Sequence, residues 1–371
     1  MKGLAVWAHS YCRSTLAFYR GLGTAFGVPV EVYLFNRGCG IRTTTGFAED
    51  EFHGMKISYL DSYEDGLSIL RTRSDWNHLF GVYQIPGLYQ KMILAAHESG
   101  CKVAIGSEAP CNMEPYPKRL IKEIYLRFVL PKRVRPYVEA AEFILNYSGN
   151  ENAGLERNGW NPSQIVPCGY YPPAIPDSRL IERNSTHWKN FTILLTGIHQ
   201  WHRSPMVLLK ALNILEKRGI DYKCYITQEG PLLKRMKSYA SHCQLRNVSF
   251  LGFLPLPELV TLYENCSVYV GCGSHEPWGM RLNDALQCGA PLVISDGMGG
   301  SKLIDDYRCG AKFKKGNYRQ LADILESMIK VEAQYLEYSR NAYIAALNIN
   351  PDNKAKSIAD TIRSRFPEWI K

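Results

Sequence analysis

The chain has 371 residues, of which 46% are hydrophobic and 21% are charged. This composition excludes a disordered or fibrous protein, and the length favours two domains that can fold without disulfide or metal staples. The formal net charge of +9 allows an anionic partner, such as a phosphate-bearing substrate, a lipid surface or nucleic acid, without choosing among them.

Cysteine usage and the amino-terminal segment indicate the compartment. Eleven cysteines are scattered along the chain, with no CxxC pair and no Cys/His cluster of zinc-binding spacing. An odd, scattered set of this kind favours reduced thiols in a cytoplasmic protein. The apolar stretch at 4–8 is too short for a signal peptide and is predicted to be a strand. No run of about 18 apolar residues occurs, so no membrane span is predicted.

The first half of the chain alternates short apolar runs with helical patterns, which is typical of buried parallel strands connected by helices. The predicted strands are 4–8, 30–35, 102–106 and 143–147. The predicted helices are 14–26 and 85–99. Three prolines within 171–190 break the pattern, which predicts an interdomain linker.

A second series of the same kind follows the linker. Its predicted strands are 191–195, 222–227, 248–251, 268–270 and 291–295, and its predicted helices are 205–218, 231–240, 255–264, 279–288 and 318–339. The sequence therefore predicts an α/β protein with two Rossmann-like doubly wound domains, 1–175 and 176–351, facing a central cleft. A C-terminal helix at about 352–371 is predicted to pack back on the first domain.

The most informative stretch is 273–296, GSHEPWGMRLNDALQCGAPLVISD. Glu276 follows a predicted strand, and a helix is predicted to begin at Gly279. The backbone N–H groups of Gly279, Met280 and Arg281 would then point outward at the helix N-terminus, which is a natural seat for a diphosphate.

A second acid, Asp284, lies one helical turn further along the chain. Helical side chains lean toward the N-terminus, so this carboxylate can reach a group that is bound there. Carboxylates beside a phosphate seat can accept hydrogen bonds from sugar hydroxyls. A nucleotide diphosphate-sugar carries both a diphosphate and sugar hydroxyls, and it fits this pattern.

These residues resemble the donor domain of glycosyltransferase family 4, a family of retaining enzymes with the GT-B fold. The family motif, ExFGxxxxEAxxxGxPV, is followed in order by Glu276, Gly279, Asp284, Ala285, Gly289, Pro291 and Val293, with Asp at the second acid and Leu292 between the proline and the valine. Further landmarks in family order are Gly197, Arg203, 228–231, 247–252 and Gly299–Gly300. The resemblance covers roughly residues 190–330.

The resemblance implies a role for each matching residue. Glu276 would bind the hydroxyls of the donor sugar, Asp284 would bind the ribose, and Arg203 would hold the pyrophosphate with its bidentate cationic guanidinium. Glu276 and Arg203 are the implied catalytic groups. Gly197 and Gly300 complete the implied donor site, together with the three N–H groups at the helix start.

Three features depart from the family pattern. The second acid is Asp rather than Glu, and Ile198 stands where an Arg usually follows the glycine. The Ser-x-x-Glu spacing before the first acid is shortened to Ser-His-Glu at 274–276. Arg281 and Lys302 are the candidates to replace the missing phosphate-binding cation.

No metal or other cofactor is predicted. Asp-x-Asp does not occur, and His199, His202 and His275 lack metal-ligand spacing, so these histidines are predicted to be polar neighbours of the site. Helix dipoles and Arg203 would stabilise the departing diphosphate through an oxocarbenium-like transition state. The resemblance implies that the anomeric configuration is retained and that the leaving phosphate takes the acceptor proton.

The resemblance is weaker before residue 180, where an acceptor site is expected. His9, Ser10 and Arg13 follow the first predicted strand and are candidates to line the cleft. Glu108 follows another predicted strand and is the candidate for a catalytic contact with the acceptor or the sugar. The alternative for Glu108 is a buried structural acid.

Residues 116–137 hold seven Lys or Arg and one Glu. A helix here places several apolar side chains on one face, namely Leu120, Ile121, Ile124, Tyr125 and Phe128. Contact with an anionic membrane surface is predicted for Lys118, Arg119, Lys122 and Arg127. The alternative is a helix that packs on the core and leaves its basic face in water.

The leading hypothesis is a retaining, metal-independent glycosyltransferase of the hexosyltransferase type. It would move a sugar from a nucleotide diphosphate-sugar to a saccharide or lipid-linked saccharide, in cell-surface polysaccharide or glycolipid biosynthesis at the inner face of the membrane. A non-catalytic, glycosyltransferase-like protein that binds sugar nucleotides or partner enzymes is the alternative. Nucleic acid is not a predicted partner because no recognition motif occurs, and an oxidoreductase is disfavoured because no G-x-G-x-x-G follows the first strand.

Overall fold

The computed structural model describes residues 1–10, 12–36, 55–84, 87–149 and 152–371. The chain divides into two compact units. The first comprises Met1–Cys111, Leu120–Pro173 and Asn350–Lys371, and the second comprises Asn112–Arg119 and Ala174–Ile349. Each unit contains its own sheet of parallel strands, which confirms the predicted pair of doubly wound α/β domains.

The first unit is built on a seven-stranded parallel sheet. Its strands are β1 (Leu4–Ser10), β2 (Val30–Asn36), β3 (Lys56–Tyr59), β4 (Asn77–Phe80), β5 (Lys102–Ser107), β6 (Ile144–Asn146) and β7 (Ile165–Pro167), in the order β3-β2-β1-β4-β5-β6-β7. The helices between them are α1 (Arg13–Phe26), α2 (Tyr63–Thr72), α3 (Leu88–Glu98), α4 (Lys118–Ile124), α5 (Leu130–Glu139) and α6 (Ala153–Arg157). The first two residues of α4 belong to the second unit. A π-helical turn, Tyr125–Val129, joins α4 to α5.

The second unit is built on a six-stranded parallel sheet. Its strands are β8 (Thr192–Leu195), β9 (Lys223–Thr227), β10 (Val248–Gly252), β11 (Val268–Gly271), β12 (Leu292–Ser295) and β13 (Gly310–Phe313), in the order β10-β9-β8-β11-β12-β13. Its helices are α7 (Ser185–Lys189), α8 (Met206–Lys217), α9 (Leu233–His242), α10 (Leu256–Asn265), α11 (Arg281–Gln287), α12 (Lys302–Tyr307), α13 (Tyr318–Lys330) and α14 (Glu332–Asn348).

The last helices, α15 (Pro351–Arg365) and α16 (Pro367–Ile370), belong to the first unit. Apolar side chains of α15, including Ile358 and Ile362, share one buried core with β1 and α1. The amino group of Met1 donates a hydrogen bond to the Ile370 carbonyl at 2.9 Å. The two ends of the chain therefore stabilise the same unit.

Most predicted helices differ from the structure by one to three residues at their ends, and two differ because of the backbone conformation of one residue. The helix predicted at 279–288 begins only at Arg281, because Gly279 has a φ of +91°, outside the helical region. The helix predicted at 318–339 is interrupted at Val331, whose φ of −116° and ψ of 89° are extended rather than helical. Residues 85 and 86, predicted to begin a helix, lie outside the described residues.

A buried arginine fixes the ends of two helices in the second unit. Arg183 is 2% exposed, and it donates hydrogen bonds to the carbonyls of Tyr263, Cys266 and Cys288 at 2.5–3.0 Å. These carbonyls lie at the C-terminal ends of α10 and α11, where the helix dipole favours a cation. Arg183 thereby holds the end of α11, the helix that carries Asp284.

A buried histidine in the first unit is held in one neutral form. Trp7 Nε1 donates to His78 Nδ1 at 3.0 Å, and His78 Nε2 lies 3.0 Å from the Arg73 carbonyl. Nδ1 must therefore accept while Nε2–H donates. Burial lowers the pKa of His78 to about 4, although the bond to the Arg73 carbonyl opposes this shift.

The stability of the protein should depend on the protonation of His78. Its folded pKa of about 4 lies below the ordinary 6.5, so folding favours the neutral ring. This stabilisation is complete above pH 6.5 and is lost as the pH falls toward 4, by about 3 kcal/mol in total. Urea unfolding between pH 7 and pH 4 should therefore show a steeper loss for the wild type than for His78→Asn. Parallel profiles would contradict this assignment.

Candidate functional site

The predicted site residues of the second unit gather where its strand order reverses. β8 and β11 are neighbours in the sheet, with Val268 beside Ile193, although β9 and β10 lie between them in sequence. Connections leave these two strands toward opposite sides, and open α/β sheets bind ligands at the carboxyl ends of such strands. The loop after β8 carries Arg203, and the loop after β11 carries Glu276.

Hydrogen bonds hold these two loops together. The Ser274 backbone N–H donates to the His202 carbonyl at 2.7 Å, and the Ser274 hydroxyl donates to the same oxygen at 3.2 Å. Gly197 has a φ of +105°, and a Cβ there would lie 2.8 Å from Nη1 of Arg203. The guanidinium therefore approaches the chain at Gly197 more closely than a side chain would allow.

Glu276, Arg203 and His202 form one charged cluster. Glu276 Oε2 lies 3.3 Å from Arg203 Nε and 3.6 Å from His202 Nε2. Glu276 Oε1 lies 3.5 Å from Arg203 Nη2. The carboxylate is only 12% exposed, so its charge depends on these neighbours for compensation.

This compensation is incomplete. The contact between Arg203 Nε and Glu276 Oε2 has the distance of an ion pair, but neither atom makes a hydrogen bond of acceptable geometry within the described residues. Both atoms are buried. A strong donor and a strong acceptor thus lie side by side with hydrogen-bonding capacity left over, which is an arrangement suited to a polar, anionic ligand.

Two histidines beside this cluster stay neutral near pH 7. Burial lowers the pKa of His202, and Arg203 adds to that effect while Glu276 opposes it. Burial also lowers the pKa of His199, against hydrogen bonds to the backbone of Gln228 and Thr227. Nε2 of His199 is buried and makes no hydrogen bond among the described residues. The positive charge next to Glu276 therefore comes from Arg203.

A glycine-rich loop after β12 fixes the backbone of the acidic loop. Glu276 N–H donates to the Gly297 carbonyl, and Gly299 N–H donates to the Glu276 carbonyl, both at 3.0 Å. Gly300 N–H donates to the Trp278 carbonyl at 3.0 Å. Glu276 is thus held on both sides by backbone bonds that resemble one rung of a parallel sheet.

The residues between Glu276 and α11 are fixed by packing. Trp278 is 1% exposed, and its Nε1 donates to Asn283 Oδ1 at 2.7 Å. No side chain caps the start of α11. Gly279, Met280 and Arg281 occupy this turn, and Gly279 lies outside the helix. Phosphate binding by their backbone N–H groups stays a prediction.

Asp284 lies on α11 beside Arg281, whose Nη1 is 3.2 Å from Asp284 Oδ2. Burial opposes the charge of Arg281, but Tyr263 and Asp284 outweigh it and raise the pKa of the guanidinium. Burial raises the pKa of the neighbouring Tyr269 to about 12. These phenols stay protonated at neutral pH, and Arg281 stays charged beside Asp284.

The two candidate replacement cations both have acidic partners. Arg281 pairs with Asp284, and Lys302 Nζ lies 2.7 Å from Asp306 Oδ1, one turn further along α12. Their predicted contact with a phosphate remains untested. Arg203 also has an acidic partner, Glu276, but its Nε makes no hydrogen bond among the described residues.

The acceptor residues predicted in the first unit lie at the carboxyl edge of its sheet. His9 is exposed and Ser10 half-buried at the end of β1, while Arg13 begins α1 and its side chain lies outside the described residues. Glu108 directly follows β5, and its side chain hydrogen-bonds to Tyr170. Their proposed roles remain predictions.

The four basic residues that were predicted to contact a membrane differ in their exposure and in their partners. Lys118, Arg119 and Arg127 are exposed and Lys122 is half-buried. Arg119 Nη2 lies 3.2 Å from His275 Nε2, and both residues belong to the second unit. Arg119, predicted for membrane contact, thus has a protein partner beside Glu276.

The described residues contain neither a cluster suited to a metal ion nor a helix suited to cross a membrane. No group of three or more His, Cys, Asp or Glu side chains there is arranged to hold a metal ion. No helix among those residues is long and apolar enough to cross a membrane.

Residues 179–345 match the family described as glycosyl transferases, group 1. A structure of Alr3699/HepE from Anabaena in complex with UDP superposes with a TM-score of 0.67 at 14% identity, over 98% of this chain and 100% of that one. The chain has the GT-B fold. This outcome confirms the fold expected from the family 4 resemblance.

Two curated relatives match part of the chain. The uncharacterized glycosyltransferase YqgM of Bacillus subtilis is 28% identical over 222 residues, which is 59% of this chain and 57% of that protein. The D-inositol 3-phosphate glycosyltransferase of Arthrobacter is 25% identical over 237 residues, which is 62% of this chain and 55% of that protein. The chain spans just over half the length of these relatives.

The sequence did not predict several residues that hold the site in place. Gly297 was not singled out, although its carbonyl holds Glu276. The Trp278–Asn283 bond was not foreseen, although a Trp and an Asn five residues apart at a helix start could have suggested it. His202 was predicted only as a polar neighbour, and its contact with Glu276 depends on two loops that sequence alone does not bring together.

A side chain at Gly279 would strain the backbone and would require Met298 to move. A Cβ there would lie 2.3 Å from Met298 Cε at a φ of +91°, whereas Gly316 has a φ of +79° and nothing within 4 Å of its Cβ position. Both Ala variants carry backbone strain, but only Gly279→Ala adds a clash. Because Met298 Cε is the end of a flexible side chain that can move aside, we expect Gly279→Ala to lower the free energy of unfolding by only about 1 kcal/mol more than Gly316→Ala. Equal losses in denaturant unfolding would show that the clash is relieved.

Proposed function

We propose that this protein is a retaining glycosyltransferase of family 4 that uses a nucleotide diphosphate-sugar as donor. The observation that carries the proposal is the incompletely compensated pair of Arg203 and Glu276, at the point where the strand order of the second unit reverses. The group 1 match over 179–345 and the UDP that the Anabaena structure is described as holding support it.

On donor binding, Arg203 and Glu276 would exchange their contact with each other for contacts with two different groups of the ligand. The guanidinium of Arg203 would donate its N–H groups to the diphosphate, which carries more negative charge than one carboxylate. Glu276 would then accept hydrogen bonds from hydroxyls of the donor sugar. Asp284 would bind the ribose. Arg203 Nε lies 3.3 Å from Glu276 Oε2, which is longer than a good charge-assisted hydrogen bond of about 2.7–2.9 Å. Replacing this contact by contacts with the donor therefore costs little free energy.

In the proposed reaction, the bond between the anomeric carbon and the diphosphate oxygen breaks as the acceptor oxygen bonds to that carbon. The acceptor proton passes to the leaving phosphate oxygen, and the configuration is retained. Arg203 would stabilise the negative charge that grows on the diphosphate. The positive charge on the sugar ring in the oxocarbenium-like transition state would be stabilised by the Glu276 carboxylate. No metal takes part in these steps as we propose them.

The proposed acceptor is a saccharide or a lipid-linked saccharide, and the proposed pathway is cell-surface polysaccharide or glycolipid biosynthesis on the cytoplasmic side of a membrane. Glu108, His9, Ser10 and Arg13 are the proposed acceptor contacts. The name of the Arthrobacter relative, a D-inositol 3-phosphate glycosyltransferase, supports a polyhydroxylated acceptor. We further propose that the transferred group is a hexose.

One observation favours a second candidate, a protein that binds sugar nucleotides without transferring the sugar. Arg281 is paired with Asp284, and Ile198 stands where the family usually has a cation. The diphosphate would then have one strong cation, Arg203, which is less help for a leaving group than the family pattern supplies. Donor binding without turnover would identify this alternative.

Loss of the Glu276 carboxylate should abolish transfer. We expect common nucleotide diphosphate-sugars to include one that raises the melting temperature, and that donor defines the assay. Glu276→Gln should reduce transfer or donor hydrolysis by at least about 100-fold. Glu258→Gln, an exposed acid on α10, should keep wild-type activity. Silence of the wild type across all donors in both assays would contradict the proposal.

The stereochemistry and the metal requirement can be read from the same reaction. NMR of the product should show the anomeric configuration of the donor, and the rate should be unchanged by EDTA. An inverted product would contradict retention, since the proposed mechanism delivers the acceptor to the face that the diphosphate leaves. A rate that is lost with EDTA and restored by a divalent cation would contradict metal independence.

A further inference from the structure

The helical segment 118–139 carries two separate rows of apolar side chains. One row is buried in the core of the first unit and consists of Leu126, Leu130, Val134 and Val138. The other row consists of Leu120, Ile121, Ile124 and Phe128, which are 57%, 74%, 60% and 60% exposed. Residues four apart share a helix face, and the two rows are offset by two residues, so they occupy different faces.

Most of the exposed row lies on α4. None of the residues of α4 is buried, whereas α5 buries Leu130, Val134 and Val138. The core-packing alternative raised by the sequence therefore describes α5 and does not describe α4. A row of large apolar side chains in water at this density is typical of an interaction surface.

Basic side chains border the exposed row. Lys122 Nζ lies 5.2 Å from the centre of the Tyr125 ring, and Arg127 Cζ lies 5.5 Å from the centre of the Phe128 ring. Lys118 is exposed at the start of the helix. Long basic side chains can lay their stems along apolar surface while their charges stay in water. The exposed row is thus flanked by cations.

We propose that this basic apolar face, comprising Leu120, Ile121, Ile124 and Phe128 with Lys118, Lys122 and Arg127, docks on a bilayer that contains anionic lipid. The apolar side chains would enter the boundary between headgroups and acyl chains, and the cations would meet lipid phosphates. The inference goes beyond the proposed sugar transfer and does not depend on it.

Charge selects this occupant over a second copy of the chain. Residues 116–137 contain seven Lys or Arg against one Glu, so two such faces brought together would repel each other. An anionic lipid surface instead supplies the opposite charge and an apolar layer in the same place. Binding should therefore require both anionic lipid and the apolar row.

The charge requirement is tested by flotation with vesicles of phosphatidylcholine containing roughly one third phosphatidylglycerol. The triple variant Lys118→Gln, Lys122→Gln, Arg127→Gln should bind about 100-fold more weakly, because each cation near the surface contributes about fivefold. The control Lys217→Gln, Lys234→Gln, Lys237→Gln changes net charge equally, at positions distant in sequence, and should bind like the wild type. Equal loss in both variants would overturn the local role of this face.

The apolar requirement is tested with Ile121→Ser, Ile124→Ser, Phe128→Ser. Its control is Val331→Ser, Ile344→Ser, Leu347→Ser, which also removes exposed apolar side chains. Both should keep the wild-type melting temperature, since these side chains lie in water, but the first should lose vesicle binding while the control retains it.

Three results would overturn the proposal. One is the absence of wild-type binding to the anionic vesicles, and another is equal binding to pure phosphatidylcholine vesicles. The third is a wild-type protein that forms a dimer and does not bind vesicles, when the triple variant Ile121→Ser, Ile124→Ser, Phe128→Ser is a monomer. That result would make a second copy of the chain the partner of this face. Because flotation measures no sugar transfer, each result leaves the proposed activity to be judged separately.

Discussion

The placement of the Glu276 carboxylate is the constraint around which the second unit's site is organised. A carboxylate that is 12% exposed has lost most of its hydration, and an unpaired charge in that position is strongly destabilising. Arg203 and His202 approach it at 3.3 and 3.6 Å, but burial keeps His202 from carrying a full share of positive charge. The fold therefore holds an acid whose charge is only partly compensated by its neighbours among the described residues.

Such an acid can be kept in place only by a rigid backbone. Loops from three adjacent strands supply it: Ser274 bonds to the loop after β8, and Gly297 and Gly299 of the loop after β12 bond to both sides of Glu276. The strands themselves are short and buried, so the loops begin from fixed points. Function-bearing side chains on loops gain precision when each loop is anchored in this way.

The long elements and the acidic motif could be predicted because apolar runs and ordered motif spacing are local signals. β4 could not, since its sequence NHLF begins with Asn77 and His78, which are buried because Trp369 and Trp7 satisfy them from distant parts of the chain. The helix start at 281 depended on the backbone of Gly279, which permits several conformations. The pairs Arg281–Asp284 and Lys302–Asp306 have i,i+3 and i,i+4 spacing on helices, so the sequence could have predicted them once those helices were placed.

The helix at 118–139 shows most clearly where a pattern stops being informative. Periodicity states which side chains share a face, but it does not state whether anything covers that face. The chain uses one row, from Leu126 to Val138, to join its own core, and it leaves the second, from Leu120 to Phe128, in water. Keeping large apolar side chains exposed gives up the free energy of their burial. A row maintained at that cost, and bordered by cations, is best explained by a partner that is itself apolar and anionic.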